Sequence, residues 1–179
     1  AFWGCTRLAS VVISDSCTFI EAGAFGRCTG SIVILKIEEG VLKNCRAIRG
    51  REDIPFSLSE SNLADVTRIA YRAFYDCTSL TSIDISDSVT NIDEEAFSGC
   101  TGLASIKISN NVTSISKEAF WGCSSLISIK IPDGVTSIDA GAFGNCSSLT
   151  SIDMPNSVRS ISKEAFWGCS SLISIKIPD

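Results

Sequence analysis

The chain has 179 residues, 15 Lys plus Arg against 20 Asp plus Glu, a formal net charge of −5 and no histidine. Its acidic and basic residues are interspersed, which speaks against nucleic acid or a membrane surface as partner. No apolar run approaches the roughly 20 residues of a membrane-spanning helix. Without histidine the commonest general base, the usual hydrolase triads and most zinc sites are missing.

In chain order, Ala1-Phe2-Trp3-Gly4-Cys5 opens a unit that restarts at Ala24-Phe25-Gly26-Arg27-Cys28. The stretch 24–72 is irregular. Ile37-Glu38-Glu39-Gly40-Val41-Leu42-Lys43-Asn44-Cys45 mimics Ile92-Asp93-Glu94-Glu95-Ala96-Phe97-Ser98-Gly99-Cys100, which makes 24–40 a shortened coil and 41–72 a lengthened one. Val66-Thr67-Arg68-Ile69 recovers the register of Val89-Thr90-Asn91-Ile92, so the surplus is expected between about Ala47 and Asp65. From Ala73-Phe74 the pair returns at Ala96-Phe97, Ala119-Phe120, Ala142-Phe143 and Ala165-Phe166, a strict period of 23.

That period is too short for two-helix repeats and lies within the range of leucine-rich repeats, each giving one short strand and a return segment. The Ile-x-Ile alternation predicts half-buried strands over Leu80–Ile85, Leu103–Ile108, Leu126–Ile131, Leu149–Met154 and Leu172–Ile177. They are expected side by side in one curved parallel sheet, about 4.8 Å apart. Val-x-x-Ile then predicts a second short strand on the opposite face, ahead of a single helical or 3₁₀ turn at the Ala-Phe corner. A lone coil cannot fold, because its two flat faces need neighbours. The expected fold class is an α/β repeat, β-rich: a right-handed leucine-rich-repeat solenoid with a parallel β-sheet on its concave face. Residues 1–179 are expected to form a single solenoid of about eight coils. Because the chain opens and closes inside repeats and lacks an initiator Met, it is expected to be a piece of a longer array, able to self-associate through uncapped solenoid ends.

The unit AFxGCTSLxSIxIPxxVTSIxxxAF resembles the BspA-like leucine-rich repeat proteins. Ala119–Gly141 and Ala142–Glu164 match best, residues 73–179 fit closely, 1–23 fit well and 24–72 fit in pieces. The resemblance implies a cell-surface or secreted, non-enzymatic module of a host-associated microbe that binds proteins in adhesion, with a host or matrix protein as partner. No cofactor or metal is implied. A structural spacer, projecting another domain from the surface, is the alternative.

Nine cysteines would suggest a disulfide framework in a secreted chain. Eight of them, Cys5, Cys28, Cys45, Cys77, Cys100, Cys123, Cys146 and Cys169, share one repeat position, and Cys17 replaces the core Val seen at Val89 and Val112. A straight ladder with parallel Cβ vectors holds Cβ atoms farther apart than a disulfide wants, and a row of thiols does not converge on a metal. Free thiols packing as small hydrophobes are expected.

Candidate partner-binding residues lie on three surfaces. The irregular stretch holds the densest charge, with Arg46, Arg49 and Arg51 beside Glu52 and Asp53, suited to forked pairing with carboxylates of a partner. On the strand face Lys107 and Lys130 point outward among serines, and Asp84 and Asp153 are expected to pair with lysines across strands. Trp121 and Trp167 follow the Ala-Phe corner at a position that elsewhere holds Tyr75, Ser98 and Gly144, so it is not core. Both come from a copied block, since Ser114–Asp133 and Ser160–Asp179 are identical throughout. Asn111-Val112-Thr113 and Asn145-Cys146-Ser147 match the N-glycosylation pattern by accident, since Val112 and Cys146 are core positions. Intact-mass spectrometry after alkylation of the denatured, unreduced chain should count nearly nine labels; loss of eight to disulfides would reverse the reading of the cysteines.

Overall fold

The computed structural model describes residues 10–13, 32–48 and 56–175. Trp3, Cys5, Cys17, Cys28, Arg49, Arg51 and Lys176 lie outside the described residues. The architecture is a parallel β-solenoid of about five turns with almost no helix. The helical part of the expected α/β repeat shrinks, among the described residues, to the 3₁₀ turn Glu60–Leu63.

The Ile-x-Ile segments form β6 (Leu80–Asp84), β8 (Ser105–Lys107), β10 (Ser128–Lys130) and β12 (Ser151–Asp153), preceded on the same face by β4 (Phe56–Leu58). Pairing is parallel and in repeat register, Ser82 with Ser105 and Ile129 with Ile152. The predicted single sheet is divided, however, into β4-β6-β8 and β10-β12, and residues 172–175 form no strand. The return strands are β5 (Arg68–Ile69), β7 (Asn91–Ile92), β9 (Ser114–Ile115), β11 (Ser137–Ile138) and β13 (Ser160–Ile161), each one repeat on from the last. β7 lies beside β5, and β11 pairs with both β9 and β13.

The irregular stretch departs from its sequence reading. β1 (Ser10–Ile13) and β2 (Ile32–Glu38) are parallel with Ser10 opposite Val33, as successive coils should be. The chain then reverses through Glu39 and Gly40, both at positive φ (48° and 76°), into β3 (Val41–Ile48), antiparallel to β2. Two central residues with positive φ make the turn whose twist suits a tight hairpin. Val41 and Leu42 pair with Arg68 and Ile69, so Leu42 occupies the position of Ile69 and Ile92, and Cys45 falls outside the cysteine position assigned to it. Arg46 is likewise a strand residue, opposite Ile34, and not part of a loop.

At each corner the backbone enters the left-handed region twice. The residue before Ala-Phe does so at Arg72, Glu95, Glu118, Gly141 and Glu164, and the residue before Cys at Asp76, Gly99, Gly122, Asn145 and Gly168, with φ between 52° and 76°. This orientation sends alternate N–H groups to the next coil: Glu95 to the carbonyl of Lys117 (3.1 Å), Phe97 to Ala119 (2.8 Å), Gly99 to Trp121 (2.8 Å). The consensus Gly before Cys is thus explained by φ, which costs other L-residues roughly 1–2 kcal/mol.

Behind the corner the buried rings of Phe74, Phe97, Phe120 and Phe143 stack with centroids 4.7, 5.3 and 5.4 Å apart, and Phe166 continues the row at 5.6 Å. Each Phe carbonyl accepts two hydrogen bonds, one from the Cys N–H of its own coil and one from the thiol of the next: Phe74 O from Cys77 N (3.0 Å) and from Cys100 Sγ (3.0 Å), and likewise along Cys123, Cys146 and Cys169. Cysteine suits the position because it is small, apolar and still carries a weak donor. Cys100, Cys123, Cys146 and Cys169 are free thiols.

Burial pushes the Cys123 thiol up to about 12 and raises that of Cys100 as well. The folded chain holds these protons more tightly than the unfolded one, whose thiols ionise at about 8.5. Their contribution is therefore complete below that value and is lost as the pH rises toward about 12. The urea midpoint should be level from about pH 7 to 8 and fall steadily above about 9, with a shallower fall in a Cys100→Ala/Cys123→Ala variant; equal slopes for the two proteins would contradict the assignment.

Candidate interaction surfaces

On the strand face, Asp84 stands in register with Lys107 and Lys130 with Asp153, as the sequence suggests. The ammonium of Lys107, however, is taken by Glu60 from the 3₁₀ turn, and that hydrogen bond raises the Lys107 pKa ahead of the Coulombic attraction. A residue expected to meet a partner is thus engaged internally. Lys107 and Lys130 hold the same position in successive coils, and the division of the sheet falls between them. The bonded strands set Asp84 beside Lys107 and Lys130 beside Asp153, whereas across the division two lysines would be neighbours. Lys130 is exposed, flanked by the exposed Ser128.

The corner edge carries the aromatic residues. Tyr71 and Tyr75 are 52 % and 44 % exposed and hold the Arg72 guanidinium between them, with its carbon 5.0 and 4.6 Å from the two ring centroids. Arg72 is also bound to Glu95 (Nη2 to Oε2, 2.6 Å), whose other oxygen accepts the Tyr71 hydroxyl at 3.3 Å. Alongside, Arg68 grips Asp93 through Nε and Nη2 at 3.0 and 2.8 Å. The hydrogen bond to each carboxylate raises the pKa of its arginine. These pairs fasten one coil to the next, so the guanidinium groups of Arg68 and Arg72 are spent within the chain.

Trp121 and Trp167, read from the sequence as a copied and separate pair, are brought together. Their rings stack with centroids 5.7 Å apart and planes 11° apart. Trp121 is half-buried and Trp167 is 57 % exposed. The signal that could have found the contact is the residue between them, since Gly144 has no φ requirement and a Cβ there would lie 2.1 Å from Trp121 Cε3.

Both glycosylation matches sit on engaged asparagines: Asn111 donates through Nδ2 to the carbonyl of Asp87 (2.7 Å), and Asn145 is one of the left-handed corner residues. Among the described residues no group of three or more Cys, Asp or Glu is arranged to hold a metal ion, and no helix is long and apolar enough to cross a membrane.

The BspA type leucine rich repeat region matches in six copies over residues 1–49 and 67–179. The chain belongs to the BspA-type leucine-rich repeat family. A leucine rich repeat protein of T. pallidum is similar at 34 % identity, covering 76 % of this chain and 65 % of that one with a TM-score of 0.64. A leucine rich cell surface protein of Faecalibacterium prausnitzii is 32 % identical over 92 % of this chain and 46 % of that one, TM-score 0.66. A leucine-rich repeat protein of Bacteroides ovatus is 27 % identical over 96 % and 49 %, TM-score 0.56. The chain therefore spans between 46 % and 65 % of the length of these relatives. No curated protein matches it. Proteins of this family and its structural neighbours are generally non-enzymatic.

A contribution of like charge to the division between β8 and β10 can be tested with Lys130→Thr. In low salt the variant should gain up to about 1 kcal/mol in urea unfolding, and the gain should fade near about 1 M salt, where the screening length is about 3 Å. A gain that ignores salt would point to strand propensity instead.

Proposed function

We propose that this leucine-rich repeat segment is a cell-surface or secreted binding module that recognises a protein, a host or matrix component, without catalysis. The observation that carries the reading is the likeness to a leucine rich cell surface protein over 92 % of this chain, joined to a fold whose outward strand positions are polar and open to solvent. Identical coils offer the same few groups repeatedly, which serves avidity and gives little discrimination. Specificity then belongs to the part that differs. Arg46 sits in the hairpin strand β3, and Arg49 and Arg51 follow it in sequence. An acidic protein surface is the partner such a cluster fits. Lys130 and Trp167 lie exposed and can add contacts, whereas Lys107 would first have to release Glu60.

A spacer role is the second reading, favoured by the inter-coil pairs Arg68–Asp93 and Arg72–Glu95, which fasten neighbouring coils and engage these exposed arginines within the chain. Adhesion to immobilised matrix proteins and host-cell surfaces separates the two. Wild type should bind saturably, and Arg46→Ser/Arg49→Ser/Arg51→Ser should weaken binding at least tenfold while unfolding changes by less than about 1 kcal/mol. No binding by wild type to any surface would leave the spacer, and unchanged binding by the variant would remove the arginines.

A further inference from the structure

Two coils separate the backbones of Trp121 and Trp167 by about 9.6 Å, two steps of about 4.8 Å, yet their ring centroids are 5.7 Å apart. The difference is closed by Trp121 leaning over the intervening coil. Two glycines of that coil face its six-membered ring: a Cβ at Gly144 would lie 2.1 Å from Cε3, and one at Gly141 would lie 3.1 Å from the same atom. Gly141 is also left-handed, so its glycine has a second reason. Gly144 is not, and the atoms nearest to its missing Cβ all belong to the Trp121 indole.

Independent support comes from the amino acids along the same row. Taken coil by coil, Trp3 is followed by Gly26, Tyr75 by Ser98, and Trp121 by Gly144. A large ring is each time succeeded by one of the smallest side chains.

We propose that Trp121, Gly144 and Trp167 form a clip that ties a coil to its second neighbour, so that the working unit of this solenoid is a pair of unlike coils and not the single repeat. Nearest-neighbour contacts alone hold most coils of a solenoid together. The clip adds a contact across one coil, at the corner edge, where bending of the array would open the stack between the two rings. It also fixes the order of coils: a Trp coil needs a Gly coil next, and a copy of the block shifted by a single coil would set two indoles against each other where one fits. Duplication of Ser114–Asp133 as Ser160–Asp179, two coils on, preserves that order.

A double-mutant cycle decides the matter, because the two partners are adjacent and their effects must not add. Gly144→Ala should lower the urea midpoint in the wild-type background, since the methyl evicts the indole. In a Trp121→Ala background the same change should be neutral or raise the midpoint, because the space is vacated and alanine restricts the unfolded chain. Circular dichroism supplies a readout that ordinary packing would not move: the stacked indoles should give an exciton couplet that vanishes equally in Trp121→Ala, Trp167→Ala and Gly144→Ala. Equal loss of stability from Gly144→Ala in both backgrounds, no loss in either, or failure of the double variant to fold would overturn the clip. So would a couplet that survives removal of either tryptophan.

Discussion

From Arg72 to Asn145 each coil hands its corner N–H groups to carbonyls of the coil that follows, and the rest of the regular structure is arranged around that transfer. Glu95, Phe97 and Gly99 donate forward, and their counterparts repeat the act one step on. To aim alternate N–H groups along the solenoid axis, the corner must twist into the left-handed region at two points, which is why Gly, Asn and Asp recur before Cys. The twist turns the Phe ring inward to its stack and leaves the Phe carbonyl short of partners inside the core. The thiol of the next coil fills that need. Backbone pairing, aromatic stacking and the cysteine row are consequences of one geometry repeated.

The regular coils were legible because burial there has a fixed period. The Leu, Ile, Val, Ala and Phe of the repeat's core positions are buried from Leu80 to Leu149, with Ile106 only partly so, and periodic burial is what a sequence pattern records. Two things escaped. At Glu39-Gly40 the resemblance of Ile37–Cys45 to a repeat concealed a second signal, a two-residue turn with Gly between apolar runs, and hydrogen bonding chose the hairpin. On the strand face the pairing of Asp84 with Lys107 was visible from spacing, but the reach of Glu60 was not, because it comes from an aperiodic segment far back in the chain. Of the surface residues picked from sequence, the tryptophans were seen as single side chains. Their meeting depends on the absence of a side chain at Gly144, and a pattern scan for large residues does not look for that.

Binding and projection make opposite demands on a repeat array. Recognition gains from coils that differ, while a spacer gains from coils that agree. In this leucine-rich repeat segment residues 73–175 agree closely, and the antiparallel hairpin breaks the agreement before them. An interaction site placed at such a break rests on a scaffold whose remaining length can change by duplication without disturbing it.

That hairpin also has a thermodynamic meaning. In a quasi-one-dimensional solenoid, order spreads from coil to coil with a coupling set by each interface. Inside the regular coils the interface includes the corner bonds, a ring stack and one or two sets of bonded strands, since β8 with β10 and β7 with β9 do not pair. Across β3 and β5 the pairing is Val41 with Arg68 and Leu42 with Ile69, the same length as that of β5 with β7, and β4 bonds to β6 beside it. A folding front arriving from the regular coils therefore finds bonded strands on both faces there. The turn from β2 into β3 is thus a change of direction through which coupling continues, carried by the pairing of Ile32–Glu38 with Val41–Ile48, and not an interruption of it.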